Sequence, residues 1–227
     1  MTDGSSDPTR DAAFGQQAPL SPVDRFGVWL SGRRIRRHVT SFKGLRIADV
    51  GCGYHATFAQ SVLDDVDHAA LLDVALDGDL KRHPHAEVIE GPLPDTLAQL
   101  EATRFDVVLC TSVLEHLWEP QQALDEMWRL LRPGGLCLVN VPSWRGKRFL
   151  EFSAFRLGLS PAEEMNDHKA YYDPRDLWPM LVHAGFRPQD IRLSRHKFSL
   201  NTFAACRRSS ELRTSPSSSG EHDGNFR

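Results

Sequence analysis

Short apolar runs alternate with longer segments of helical period from residue 45 onward. Short apolar runs between turn residues predict strands, whereas apolar positions spaced three to four residues apart predict helices. This alternation is typical of repeated βαβ units around a parallel sheet, joined by right-handed crossovers. The predicted strands are residues 45–51, 68–74, 87–90, 105–110 and 136–141, and the predicted helices between them are residues 57–63, 78–82, 93–101 and 120–131.

The C-terminal part of the chain predicts one more helix and a pair of strands. Residues 174–184 have a helical pattern that stops at Gly185, a residue type that often terminates helices. Residues 190–194 and 198–206 are strand-like runs joined by a short basic turn, so they can pair only as an antiparallel hairpin. We therefore expect one α/β domain over residues 44–208.

The two ends of the chain differ from this domain in composition. Residues 1–22 are rich in Ser, Asp, Gly, Gln and Pro, and residues 209–227 are rich in Ser and charge. Neither segment has enough apolar surface to offset the loss of chain entropy on folding, so both are predicted to be disordered. Residues 23–43 predict an amphipathic helix, loosened around Gly32, that acts as a brace or lid.

The charge balance narrows the classes of ligand. The chain has 27 Lys and Arg residues against 30 Asp and Glu residues, a formal net charge of -3. No overall positive field attracts nucleic acid or an anionic membrane, so we expect a small-molecule ligand. The basic run at residues 33–38 can touch phosphate but is more often a solvated helix face. No apolar stretch of about 18 residues and no basic leader is present, so a cytoplasmic location is expected.

Two acids and two glycines follow the first two predicted strands. Asp49 ends the first strand, and Gly51 and Gly53 stand in the turn after it. Glycines let the backbone pass close to a ligand at the carboxyl edge of the sheet, where open α/β folds bind cofactors, although such a turn alone also fits an ordinary strand-to-helix connection. Asp73 ends the second strand, where a carboxylate can reach a pair of ribose hydroxyls. The two acids together favour a site for one ribose-containing ligand.

Three further motifs lie beside the later strands and together make the pattern specific to one known family. Gly91-Pro92-Leu93 follows the third strand, Leu114-Glu115-His116 lies after the fourth, and Arg132-Pro133-Gly134-Gly135 precedes the fifth. From residue 45 to residue 206 the series resembles the class I S-adenosylmethionine-dependent methyltransferases, close to the small-molecule group with a Leu-Glu-His signature. The resemblance implies an α/β fold, a Rossmann-like three-layer sandwich with a seven-stranded, mostly parallel sheet and an antiparallel last strand.

The resemblance also implies a cofactor, S-adenosylmethionine, and the residues that bind it. Asp49, Gly51 and Gly53 would line the methionine end, Asp73 would hold the ribose hydroxyls, Gly91 to Leu93 would border the adenine, and Thr111 after the fourth strand completes the set. Two positions depart from the pattern. His55 replaces the usual third glycine, and Pro92 replaces a frequent acid, so the adenine would depend on main-chain groups and apolar contact.

Methyl transfer needs alignment, and a base only when the acceptor must lose a proton. His116 is a candidate base, with the alternative that it tethers the following helix. His168 and Tyr171 belong to a polar and aromatic cluster, residues 166–172, in a segment expected to build the acceptor pocket, residues 143–173; they could instead pin a surface loop. Glu115, His116 and His168 have metal-ligand chemistry but no helix-spaced metal motif, so no metal is predicted.

Three functions remain open at this point. The first is a methyltransferase acting on a small-molecule acceptor, such as a glycan precursor or a secondary metabolite. The second is an NAD-dependent oxidoreductase, because that class also uses a glycine turn and an acid after the second strand. The third is a non-catalytic module that binds S-adenosylmethionine, because a fold does not guarantee turnover. The sequence does not indicate the acceptor, the atom that is methylated or the oligomeric state.

Overall fold

A computed structural model describes residues 13–16, 19–148 and 168–210 of the chain. The α-helices whose full range lies in this part of the chain are α1 Pro22–His38, α2 Thr57–Gln60, α3 Pro120–Leu130 and α4 Pro174–His183. The strands are β1 Arg46–Val50, β2 His68–Asp73, β3 Ala86–Glu90, β4 Phe105–Thr111, β5 Leu131–Pro142, β6 Ile191–His196 and β7 Asn201–Arg207. Residues 149–167 and 211–227, and with them most of the segments expected to be an insertion and a tail, lie outside the described residues.

The strands form one seven-stranded sheet in the order β3-β2-β1-β4-β5-β7-β6 within the described residues. The five strands from β3 to β5 are parallel, and β7 pairs antiparallel with both β5 and β6. This arrangement confirms the predicted mixed sheet and its antiparallel last strands. The chain moves outward in opposite directions from β1 and β4, so the carboxyl ends of these two strands border the crevice where open α/β sheets bind ligands.

Helices cover both faces of the sheet, and each face has its own apolar core. Neighbouring residues of one strand point to opposite faces, so Leu71 packs into the layer of α1 and α2 while Leu72 packs into the layer of α3 and α4. A strand buried on both faces must be apolar at nearly every position, which explains the continuous apolar runs in the sequence. The predicted three-layer sandwich is therefore confirmed.

Three predicted helices are shorter than expected. The first, predicted over residues 57–63, is the four-residue α2. The second and third reduce to single 3₁₀ turns at Leu80–Arg82 and Leu97–Gln99. Pro94 accounts for the late start of the third, because a proline disfavours the helical conformation in the residue before it. Each of these segments only has to connect one strand to the neighbouring strand. A few turns are long enough to do so.

The N-terminal helix α1 runs without interruption through Gly32, so the expected loosening there is wrong. Its first turn is fixed by a capping box in which the Oγ of Ser21 accepts from the N–H of Asp24 at 3.2 Å and the Asp24 carboxylate accepts from the N–H of Ser21. Gly32 faces the domain, where a Cβ would lie 3.1 Å from the Phe58 ring. Gly32 thus gives the helix room to pack closely against the Phe58 ring, and the helix continues through it without a break. Its role as a brace or lid stays a prediction.

Four residues upstream of α1 also make defined contacts. They belong to the segment 1–22 that the composition predicts to be disordered; residues 1–12 and 17–18 of that segment lie outside the described residues. Ala13 is buried, and the carbonyl of Phe14 accepts from the N–H of Tyr54 at 2.9 Å. Residues 13–16 therefore lie on the turn that follows β1. Among the described residues no helix combines the length and apolar character needed to cross a membrane.

Candidate active site

The turn after β1 leaves no space for a side chain at Gly51. Gly51 has a φ of +66°, and a Cβ there would lie 2.2 Å from Cγ2 of Val113. Val113 follows β4, so the turn after β1 packs directly against the segment after β4. Only glycine combines this left-handed backbone with such a close approach. The two strand ends are thereby brought together at one edge of the sheet.

Asp73 contacts two other predicted cofactor residues, Gly53 and Gly91. Its carboxylate accepts from the N–H of Gly53 at 2.7 Å and from the N–H of Val74 at 2.8 Å, while its main-chain carbonyl accepts from the N–H of Gly91 at 3.0 Å. An ionised carboxylate offers about four acceptor positions, so it can brace the glycine turn and also accept from ligand hydroxyls. The end of β2 thus holds the turns after β1 and β3 in register.

Asp49 is buried beside Asp73. Burial and, second, the negative charge of Asp73 raise the pKa of Asp49 to about 7. Burial, Asp49 and Asp73 together also raise the pKa of the Cys52 thiol. The crevice between β1 and β2 therefore disfavours further negative charge, and a positively charged ligand group placed there would be stabilised.

The predicted adenine border lies on the other side of Asp73. Gly91 has a φ of +147°, and a Cβ there would lie 2.9 Å from Cγ2 of Thr96. Leu93 packs, partly buried, against the core layer of α3 and α4. Thr111, the last residue of β4, pairs with Asn140 and so lies on the side of the crevice toward β5. The structure thus gathers the glycines and acids at one edge, with Thr111 across the crevice; their contacts with a cofactor remain a prediction.

The three predicted catalytic residues meet beyond the end of β4. The rings of His116 and His168 have centroids 4.8 Å apart, and Nδ1 of His168 lies 3.1 Å from the hydroxyl of Tyr171. His116 comes from the 3₁₀ turn Leu114–His116, and the other two come from the segment before α4. Residues more than 50 positions apart in the sequence therefore form one polar cluster, which we name the histidine cluster. Asp167, predicted beside it, lies outside the described residues.

Main-chain contacts hold the histidine cluster in place. The carbonyl of Glu115 accepts from the N–H groups of Lys169 at 2.7 Å and Ala170 at 3.3 Å. Nζ of Lys169 donates to the carbonyl of His116 at 2.8 Å, and the hydroxyl of Tyr172 donates to the carbonyl of Leu114 at 3.4 Å. These contacts fasten residues 169–172 to the 3₁₀ turn, so the positions of His116 and His168 are fixed relative to each other.

Comparison with known proteins identifies this arrangement. Residues 48–139 match the family model described as "Methyltransferase domain". The chain is 28% identical over 166 residues to the ubiquinone biosynthesis O-methyltransferase of Psychrobacter arcticus, covering 65% of this chain and 61% of that protein. It is 30% identical over 178 residues to a Mycolicibacterium smegmatis protein named "Probable S-adenosylmethionine-dependent methyltransferase", covering 69% of this chain and 60% of that one. Residues 48–139 therefore match a methyltransferase domain in sequence, on the sheet order described above.

A solved structure agrees on the fold of this methyltransferase domain. The crystal structure of magnesium protoporphyrin IX methyltransferase from Synechocystis, with bound SAH, superposes with a TM-score of 0.61 at 17% identity, covering 86% of this chain and 91% of that one. The family match includes the acids, the glycine turn and the Leu-Glu-His signature but ends before His168 and Tyr171. The chain spans about three fifths of the length of the curated relatives named above.

One departure from the family pattern has a clear structural outcome. His55, which replaces the third glycine of the turn, places its Nδ1 3.1 Å from the carboxylate of Asp77. Its side chain is about half exposed, so the ring lies on the outside of the methyltransferase domain. The third position of the turn therefore holds a polar side chain that is directed away from the core.

Glu115, His116 and His168 present potential ligand atoms within 4.8 Å of one another in the described part of the chain. Ligand atoms around a tetrahedral zinc ion lie about 2.1 Å from the metal and so about 3.4 Å apart. The group would have to contract to hold such an ion. The expectation that the protein needs no metal stays a prediction.

Lys197 is a residue near the site that the sequence did not single out. Lys197, Phe198 and Ser199 have φ values of 46°, 58° and 68° in the turn between β6 and β7, a rare run of left-handed conformations for residues with a Cβ. The turn brings Nζ of Lys197 to 3.6 Å from where a Cβ of Gly27 would lie. Burial lowers the pKa of Lys197, and the carboxylates of Glu115 and Asp24 oppose that shift. Nothing in the sequence of this short basic turn indicates that Lys197 lies beside α1.

Proposed function

We propose that this protein is an S-adenosylmethionine-dependent methyltransferase that acts on a small-molecule acceptor, with a glycan precursor or a secondary metabolite as the first candidates. The observation that carries the proposal is the position of Val113. It contacts the glycine turn at Gly51, and three residues later the same segment presents His116 to the histidine cluster. A cofactor in the turn and an acceptor at the cluster would therefore be neighbours.

The residues of the crevice fit this cofactor. The close packing at Gly51 leaves main-chain atoms facing the crevice without an intervening side chain. Asp49 and Asp73 supply negative potential, and S-adenosylmethionine carries a sulfonium and an ammonium group. Asp73 has the acceptor capacity for two ribose hydroxyls. A nicotinamide dinucleotide would instead bring a pyrophosphate next to the glycine turn, which a negative charge on Asp49 opposes. The charge of the crevice therefore supports the methyltransferase over the oxidoreductase.

The chain's own residues would orient the reactants and accept a proton. When bound, the cofactor supplies a methyl group on a positively charged sulfur, which leaves as a neutral thioether without needing an acid. His116 and His168 offer ring nitrogens that can accept the proton of an acceptor hydroxyl or amine. Tyr171, at 3.1 Å from Nδ1 of His168, fixes the orientation of that ring. Its neighbour Tyr172 is buried, and together they close the inner side of the cluster against water.

A methyl-transfer screen tests the proposal. The full chain is incubated with S-adenosylmethionine and a panel of hydroxylated and aminated small metabolites and glycan precursors, and release of S-adenosylhomocysteine is measured. Calorimetric titrations with S-adenosylhomocysteine and with NAD accompany the screen. Binding of NAD in preference to S-adenosylhomocysteine would replace the proposal with the oxidoreductase. Binding of S-adenosylhomocysteine without turnover of any acceptor would favour the non-catalytic module.

A further inference from the structure

A second concave feature opens beside the histidine cluster. It is a cavity of about 620 Å³ between the end of β5, the start of β7 and the first turn of α4. Trp144 lines this cavity, and its ring centroid lies 5.6 Å from that of Tyr171. Tyr171 belongs to the histidine cluster, so the cavity and the cluster share a wall. We name this feature the arginine cavity after its principal lining residues, which are Arg145, Arg148, Arg175 and Arg195.

The arginine cavity carries a net positive charge. The described lining contains one acid, Asp173, and four guanidinium groups. Arg175 lies 3.8 Å from the carboxylate of Asp176, but no carboxylate among the described residues forms an ion pair with Arg145, Arg148 or Arg195. The cavity also includes the first residue of α4, Pro174, and a helix N-terminus adds partial positive charge. Within the described residues, three exposed guanidinium groups thus line one cavity without a paired carboxylate.

The geometry suits a small anion attached to a larger acceptor. Guanidinium groups bind carboxylate and phosphate oxygens in a bidentate manner. Adjacent strands are about 4.8 Å apart, so the end of β4 and the start of β7, separated by β5, lie about 10 Å from each other. A metabolite of ordinary size spans that distance. One molecule can thus have one end in the arginine cavity and the other at the histidine cluster.

We propose that the acceptor carries a carboxylate or phosphate group that Arg145 and Arg195 bind in the arginine cavity while its methylated atom lies at the histidine cluster. This inference rests on the proposed function for the identity of the ligand as acceptor, but the anion site itself can be measured without turnover. Arg148 and Arg175 supply additional positive potential. Trp144 lies between the two regions and offers an apolar surface for the body of the acceptor.

The first experiment measures anion binding with inorganic phosphate as the probe. Calorimetric titration of the full chain at constant ionic strength is compared with the double variant Arg145→Gln/Arg195→Gln and with Arg145→Lys/Arg195→Lys. We expect the glutamine variant to lose at least about tenfold in affinity, because it removes two charge-assisted contacts. The lysine variant should bind with an affinity between those of the parent and the glutamine variant, because lysine keeps the charge but loses the bidentate contact. The control Lys43→Gln/Arg82→Gln removes the same charge from surfaces outside the cavity and should bind like the parent. Circular dichroism checks that every variant is folded.

The second experiment uses turnover. For an acceptor that the parent methylates, the free carboxylate is compared with its neutral methyl ester. The glutamine variant should raise KM for the carboxylate by at least about tenfold and leave the ester unchanged. No phosphate binding by the parent, or equal binding by the parent and the glutamine variant, would overturn the anion site. The expected phosphate pattern without methylation of any acceptor would leave the anion site standing and count against the proposed function instead.

Discussion

Asp49 and Asp73 share one crevice, but their surroundings differ. Burial and, second, the negative charge of Asp73 raise the pKa of Asp49 to about 7. Asp73 is stabilised in place by two main-chain N–H groups. This difference gives the two acids different tasks. Asp73 is suited to accept hydrogen bonds, and Asp49 is suited to respond to a nearby positive charge.

Asp49→Asn should stabilise the free protein at high pH. The pKa of Asp49 is raised to about 7 in the folded state, above the ordinary aspartate value, so its contribution to stability is present at low pH and is lost as the pH rises toward 7. The asparagine variant avoids that loss. We expect its advantage in unfolding free energy to widen by about 2 to 3 kcal/mol between pH 5 and pH 8, measured by urea denaturation. A constant difference across this range, like that expected for the surface variant Asp65→Asn, would mean that Asp49 ionises normally.

Asp73→Ala should weaken binding of S-adenosylmethionine by about 1 to 3 kcal/mol, because it removes a charge-assisted pair of hydrogen bonds to the ribose. Calorimetric titration measures the effect. Glu90→Gln, at the end of β3, is the matched control, since its carboxylate accepts from Leu76 and Lys81 rather than from the glycine turn. Because Asp73 also braces Gly53, the melting temperature is recorded in parallel. Unchanged affinity in Asp73→Ala would mean that another residue holds the ribose.

His116→Ala and His168→Ala should lower turnover without weakening cofactor binding. Loss of a general base typically costs about 10² to 10⁴ in rate, whereas loss of an orienting contact chiefly raises KM for the acceptor. Tyr171→Phe removes the hydroxyl beside His168 and should reproduce part of the His168 defect. His83→Ala, on the surface near Asp64, is the control. Full activity in both histidine variants would exclude acid–base catalysis by this cluster and leave alignment as the mechanism.

At the scale of elements, the site depends on segments that lie outside the regular helices and strands. The turn after β1, the 3₁₀ turn after β4 and residues 168–172 carry the predicted site residues. The sheet fixes where these segments start, and their mutual hydrogen bonds fix where they point. Residues 13–16 add a further piece, because the carbonyl of Phe14 lies 3.2 Å from where a Cβ of Gly53 would be. We interpret this piece as a cover over the glycine turn.

Deletion of residues 1–16 should raise the dissociation constant for S-adenosylmethionine by about two- to tenfold, because the cover contributes a hydrogen bond to Tyr54 and excludes water from the turn. Deletion of residues 1–12 keeps these contacts and serves as the control. Calorimetry on both truncated proteins provides the measurement. Tighter binding after removal of residues 1–16 would show that the segment competes with the cofactor instead of covering it.

At the scale of the whole molecule, hydrogen bonds from the end of the last strand fasten that strand to α3 and to the start of β5. Arg208, just after β7, donates from its guanidinium to the carbonyls of Trp128 and Arg129, both at 3.1 Å, and of Leu131 at 2.6 Å. The same guanidinium lies 4.0 Å from the ring centroid of Trp128. These carbonyls belong to the end of α3 and the start of β5, where cationic groups are favourable. A single side chain therefore joins the C-terminal hairpin to α3.

Arg208→Ala should destabilise the protein by about 1 to 3 kcal/mol, since it leaves the carbonyls at the end of α3 without their cationic partner. Urea denaturation measures the change. Arg207→Ala is the neighbouring control, because Arg207 is exposed and donates to the single carbonyl of Gly134 at 2.9 Å. Equal stability of the two variants would mean that water replaces Arg208 at no cost.

The sequence by itself determined the order of the strands along the chain, the antiparallel hairpin and the acids and glycines of the crevice. These features are local: strand period, turn chemistry and a residue at a strand end all depend on neighbours in the chain. Parallel strands then carry Asp49, Asp73 and Gly91 to the same edge of the sheet. The sequence overestimated the helix at residues 93–101, whose apolar spacing is helical but whose structure has a single 3₁₀ turn at Leu97–Gln99.

Only the tertiary structure decided which distant segments meet. His116 and His168 were separate candidates in the sequence, and hydrogen bonds between residues 169–172 and 114–116 unite them. The arginine cavity combines Arg145 with Arg195, and Lys197 reaches α1 through a left-handed turn. Each of these contacts joins parts of the chain whose separation leaves no repeating pattern in the sequence. Their positions follow from how the strands order themselves and how the helices pack, which are properties of the assembled sheet and not of any one segment.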